Sequence, residues 1–239
     1  MSTDGFITPL VEGFRGDNRK PLIILAYSSV ALVGWKYFCS PAFYLEHLAS
    51  CGFMPTEPRA AGAIYSFVCC FLLIGIVPAV IVKAVFREKL ADYGLQLGDR
   101  ARTTRTFLVM GPLFALGGYL AAGNTAVAEY YPINPKAGQM FGLHAFTYLL
   151  FYMGWEFYFR GFMQFGLRRR FGDAGAIMCQ VLASTLLHIG TPAIETFGAV
   201  LGGVIWGLVA FRTRSLLSGF LQHSLLGITL DWALCHLNQ

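Results

Sequence analysis

Charge is scarce in this chain. Of its 239 residues only 13% are Asp, Glu, Lys or Arg, while 56% are apolar. A soluble domain carries about 25% charged residues. So few charges cannot coat a water-exposed surface, so lipid is the expected solvent for most of the molecule. Long polar stretches are also missing. The two longest, residues 87–106 and 123–139, are too short to hold a separate soluble domain. The six cysteines form no C-x-x-C pair and mostly lie in or beside apolar runs, which reads as small apolar filling rather than disulfides or metal ligands. No basic stripe interleaves with exposed aromatics, so the net charge of +5 does not point to nucleic acid. There is no H-E-x-x-H helix of a zinc peptidase and no nucleophile elbow around Ser184 or Ser224. An internal repeat of the kind that marks many transporters is absent too. Residues 1–20 include Asp4, Glu12, Arg15, Asp17, Arg19 and Lys20 before any long apolar run, which does not read as a cleavable signal peptide.

What is present is a series of apolar runs, each near the roughly 20 residues a membrane span needs. They fall near residues 21–38, 61–86, 107–122, 141–167, 174–189, 195–211 and 216–234. The expected fold is all-α, a polytopic transmembrane helical bundle of about seven spans. Residues 1–20 are expected to be a cytoplasmic segment and residues 21–239 a single integral membrane domain. Basic residues cluster on every second loop: Arg15, Arg19 and Lys20; then Lys83 to Arg105; then Arg168, Arg169 and Arg170; then Arg212 and Arg214. The positive-inside rule then puts the N-terminus in the cytoplasm and the C-terminus outside.

Ionisable residues inside spans are costly and so are functional candidates. They are Lys36, His144, Glu156, Arg160, His188, Glu195, His223 and Asp231, concentrated in the C-terminal half. Glu156 and Arg160 are four apart and share a helix face. His188 ends an apolar run just before Gly190-Thr191-Pro192, and His223 lies about two turns into the last run. Asp231 follows on roughly the same face, placed to hydrogen-bond within the bundle or to cap a site from the outer side. One carboxylate and two histidines on three helices suggest hydrolysis, with the carboxylate as general base on water and a histidine sharing the proton or stabilising the oxyanion. The same trio could instead hold zinc. Gly198, Gly202, Gly203 and Gly207 give small-x-x-x-small pairs that let a neighbouring helix approach closely.

At these residues the chain resembles the CPBP family of intramembrane glutamic endopeptidases, which includes C-a-a-X prenyl proteases and bacteriocin-immunity proteins. The matching segments are Trp155-Glu156-Phe157-Tyr158-Phe159-Arg160-Gly161, Ser184-x-x-x-His188 and His223-x-x-x-Gly227. The resemblance covers about residues 141–234, with a weaker echo at residues 90–95. It departs at three positions: Trp155 stands where the family has the first glutamate of a pair, Ser184 where it has an aromatic residue, and Gly227 where it has asparagine. The resemblance implies a protease of a membrane-associated protein or peptide, acting without a cofactor in a multi-pass membrane protein, expected in a bacterial inner membrane. Its catalytic residues would be Glu156, His188 and His223, with Arg160, Glu195 and Asp231 in support. Glu156 with His188 would activate the water, His223 would stabilise the oxyanion, and Arg160 would keep Glu156 ionised. Glu195 is the other candidate carboxylate, and zinc the alternative cofactor. Against a protease stand a catalytically inactive membrane scaffold or immunity protein, and a small transporter.

Overall fold

A computed structural model describes residue 8 and residues 11–52, 54 and 56–237. Most of the expected cytoplasmic segment before residue 11, including Asp4, lies outside the described residues, as do Asn238 and Gln239. Among the described residues the architecture is all helical, with no strand. Nine helices organise it: α1 (Arg19–Phe38), α2 (Pro41–His47), α3 (Pro58–Phe86), α4 (Arg100–Ala121), α5 (Thr125–Tyr130), α6 (Phe141–Glu156, wound on through Phe157–Phe165), α7 (Gly166–Leu187), α8 (Ala193–Thr213) and α9 (Leu217–His236).

Local chemistry sets many of the ends. Ser40, Glu57, Asp99 and Asn124 each accept a hydrogen bond from the backbone N–H three residues on, at 3.0–3.2 Å, and so satisfy first-turn donors of α2, α3, α4 and α5. Pro41 and Pro58 follow two of these caps, where proline's missing N–H costs nothing. α7 is broken at Gly172, whose φ of 70° and ψ of −179° are open only to glycine at low cost. Arg168 and Asp173 bridge that break at 2.6 and 3.0 Å. The sequence reading of separate runs ending near 167 and starting near 174 marks the same place.

Three helical stretches are long and apolar enough to cross a membrane: Gly16–Phe38, Pro58–Phe86 and Ala193–Thr213. The seven expected runs all coincide with long helices, but the fuller span count rests on helices that carry polar side chains. α4 begins with Arg100, Arg102 and Arg105, while α6, α7 and α9 carry the ionisable groups of the candidate site. Large apolar side chains such as Leu108, Leu113 and Leu120 on α4 and Phe197 and Leu201 on α8 face outward, as in a protein whose surface meets lipid.

The core gathers around the middle of α6. Trp155, Phe157, Tyr158, Phe159, Phe162 and Met163 are buried together with Ile24 of α1, Cys70 and Ile74 of α3 and Leu167 of α7. From Phe157 to Phe165 α6 is wound as a π-helix, a geometry frequent at functional sites. Glycines bring the neighbours in. A Cβ on Gly154 would lie 2.9 Å from Cα of Phe71, so α3 and α6 touch backbone to backbone there. The segment 90–95, the weaker echo in the sequence, closes the core from one end. Tyr93 is buried, and its carbonyl oxygen would lie 2.9 Å from a Cβ on Gly161. It is tied to the end of α3: Glu88 accepts from Lys20 at 2.7 Å and from the Tyr93 hydroxyl. Burial opposes the Glu88 charge, but these two donors outweigh it and hold its pKa below the ordinary glutamate value.

Candidate active site

Glu156 sits on α6 where the winding widens, and its side chain is 2% exposed. A carboxylate so buried needs partners. Its Oε1 lies 2.7 Å from Nδ1 of His223 on α9 and 3.2 Å from Nη1 of Arg160, one turn along α6. A neutral His223 that donates Nδ1–H to Glu156 keeps its Nε2 lone pair free. The imidazole is packed against two aromatics. Trp206 of α8 stacks on it with ring centroids 4.1 Å apart, and Tyr152 of α6 lies against it at 4.6 Å. Trp206 also lies 5.4 Å from the Arg160 guanidinium and donates its Nε1–H to Gln222 at 3.2 Å. One indole therefore braces both partners of Glu156.

His188, at the end of α7, donates Nδ1–H to the carbonyl of Ser184 at 2.7 Å, which likewise leaves Nε2 free in the neutral ring. Its Nε2 is 3.7 Å from Oε1 of Glu195, in the first turn of α8. Glu195 accepts in addition from the Tyr131 hydroxyl at 2.9 Å. Burial first, and the neighbouring Glu195 carboxylate second, push the Tyr131 pKa up, so that phenol remains a donor.

The expected pairing is therefore rearranged. Glu156 meets His223 rather than His188, and His188 meets Glu195. The cause is helix geometry: adjacent residues point about 100° apart. Trp155, where the family's first glutamate stands, is the residue turned towards His188, with ring centroids at 5.5 Å, while Glu156 is turned towards α9. Asp231 is not part of this cluster. It binds Nε2 of His144 at 2.7 Å, both side chains 1% exposed, about two turns along α9 from His223 and about three along α6 from Glu156. Among the described residues no three His, Cys, Asp or Glu side chains converge in a group able to hold a metal ion.

Four residues of the site and its support carry no signal that the sequence reading used. Trp206 and Tyr152 looked like ordinary apolar positions, and nothing but three-dimensional proximity to His223 distinguishes them. Gln164 and Gln180, both fully buried, donate to the carbonyls of Gly207 and Gly203 at 2.9 and 2.8 Å. Of the four α8 glycines, Gly203 and Gly207 thus make the close approach expected, whereas a Cβ on Gly198 would meet open space. A polar residue in an apolar run opposite small-residue spacing is a signal that could have found the glutamines.

Residues 136–229 match the family described as Type II CAAX prenyl endopeptidase Rce1-like. That region contains Glu156, Arg160, His188, Glu195 and His223, and it accords with the glutamic-endopeptidase resemblance of the motifs. No curated protein and no solved structure matches the chain.

Proposed function

We propose that this chain, with its Rce1-like region at residues 136–229, is an intramembrane endopeptidase that hydrolyses a peptide bond in a membrane-associated protein or peptide. The observation that carries the proposal is the buried Glu156 held 2.7 Å from Nδ1 of the more accessible His223. Side-chain exposure apportions the roles: 2% for Glu156, 14% for His223 and 17% for His188. The group that meets water is His223, through Nε2. Glu156 fixes its tautomer and stabilises the imidazolium that forms when Nε2 takes a proton from the attacking water. Arg160 keeps Glu156 ionised. His188, with Nε2 free and Glu195 behind it, accepts the water's other hydrogen and orients the nucleophile. In this division of labour His223, rather than Glu156 with His188, takes the proton from the water. The water is activated without a metal, and a chelator should leave turnover unchanged. The direct test is incubation of the purified protein in detergent with single-span and C-terminal membrane peptides. Cleavage lost in both His188→Ala and His223→Ala is expected. Cleavage that survives both changes would move the chemistry elsewhere.

The same proposal places seven long helices across the bilayer, with α2 and α5 at its edges, and the N-terminus in the cytoplasm of a bacterial cell. A reporter fused at Arg169 should then read cytoplasmic and one fused after Gln239 should read external. Cytoplasmic signals from both would demand an even number of crossings.

A further inference from the structure

Hydrolysis of a peptide bond needs a donor for the carbonyl oxygen as negative charge develops on it. The ring N–H groups around the site are already committed. His223 spends its Nδ1–H on Glu156, and His188 spends its own on the Ser184 carbonyl. Trp206 donates to Gln222, the Tyr131 hydroxyl donates to Glu195, and Arg160 is buried behind Glu156 against Trp206. Arg160 Nε and Nη1 and the Ser224 hydroxyl are buried without a hydrogen-bond partner; the hydroxyl whose ring lies against His223 is that of Tyr152.

Its position follows from two helices read in register. Tyr152 is one turn before Glu156 on α6, and Gly227 is one turn after His223 on α9, so Tyr152 and Gly227 form the next rung beside the Glu156–His223 contact. The phenol oxygen rests on α9 where a side chain at 227 would begin: a Cβ on Gly227 would overlap it. Only glycine leaves that space, so Gly227 acts as the seat of the hydroxyl. The Tyr152 ring lies against the His223 imidazole at 4.6 Å, and the phenol is within electrostatic range of Asp231, Glu195 and Glu156. Tyr148, with ring centroids 4.5 Å away, reaches the Tyr152 hydroxyl and fixes it from behind.

Resting on the peptidase reading, we infer that Tyr152 is a catalytic residue whose hydroxyl donates the hydrogen bond that stabilises the oxyanion. Water oxygen bonds to the carbonyl carbon as His223 takes a water proton. The carbonyl π pair moves onto oxygen, where Tyr152 O–H holds it. The oxyanion then collapses, the C–N bond breaks, and the amine leaves with the proton returned by His223, giving an acid and an amine from peptide and water.

The test is steady-state cleavage of a membrane peptide by purified wild type and Tyr152→Phe. Loss of the hydroxyl alone should lower kcat by about 10²–10³-fold with little change in KM while the protein remains folded. Wild-type turnover by Tyr152→Phe, with Glu156→Gln inactive, overturns this inference and leaves the peptidase reading standing. No cleavage by wild type across the peptide panel overturns both. If Tyr152→Phe does not fold, 3-fluorotyrosine at position 152 keeps the shape and acidifies the phenol. The stronger hydrogen-bond donor should alter kcat at neutral pH, and an unaltered kcat also overturns the assignment.

Discussion

Glu156→Gln is expected to reduce cleavage by about 10³–10⁴-fold, the scale on which removing the carboxylate behind a catalytic imidazole acts by upsetting its tautomer. The substitution has a second effect that must be separated from the first. It leaves the Arg160 guanidinium, 3% exposed, without its anion. Breaking a buried ion pair from one side costs about 3–5 kcal/mol, because the remaining charge is uncompensated. The single variant should therefore unfold at markedly lower temperature. Adding Arg160→Met removes the stranded charge and should return most of the stability while leaving cleavage abolished. Recovery of both stability and activity in the double variant would mean that the pair is structural and the chemistry lies elsewhere. Glu195→Gln, by contrast, should retain substantial activity, since Glu195 touches His188 only at 3.7 Å and is engaged by Tyr131.

The largest effect outside the ionisable cluster is expected at Gly118. α4 lies along α9 with Gly118 against the backbone of the partner helix: a Cβ there would overlap the carbonyl oxygen of Leu226 and lie 3.1 Å from the Leu230 nitrogen. A flexible side chain could yield to a new methyl group, but a helix carbonyl cannot. Gly118→Ala should cost at least the ~3 kcal/mol at the upper end of overpacking penalties, read as lost folded protein in detergent. Because α9 carries His223, any surviving protein should also cleave slowly. Gly117→Ala is the control, since its Cβ would meet only Leu226 Cδ1 at an ordinary 3.6 Å. Equal behaviour of the two variants would show that α4 and α9 are not in contact as described.

These two sites also show what the sequence could and could not reveal. Apolar runs placed the long helices, because a span must satisfy its backbone internally and must be about 20 residues long. Arginines in the first two turns of α4 give its start the polar look of a loop, yet Asp99 caps a helix that begins at Arg100. α2 and α5, of 7 and 6 residues, are too short to show any periodicity. Glu156, Arg160, His188 and His223 stood out because charge is costly in an apolar run. Their pairing did not, since it depends on which side of α6 faces α9, and the Trp155-Glu156 order settles that only once α7 and α9 are in place. Asp231 stood out for the same reason as Glu156, yet the partner it finds is His144. Tyr152 and Gly227 are individually unremarkable letters, and their meaning lies in one resting on the other.

If Glu156 and His223 direct a water molecule at a peptide bond, the oxygen of that water must enter the product. The most direct measurement is mass spectrometry of products formed from membrane peptides by chelator-treated wild-type protein in ¹⁸O-enriched water. Discrete new C-termini are expected, each carrying one ¹⁸O atom, at a rate unaffected by the chelator and lost in Glu156→Gln/Arg160→Met. Intact peptides across the panel, or labelled products formed equally by that double variant, would contradict it.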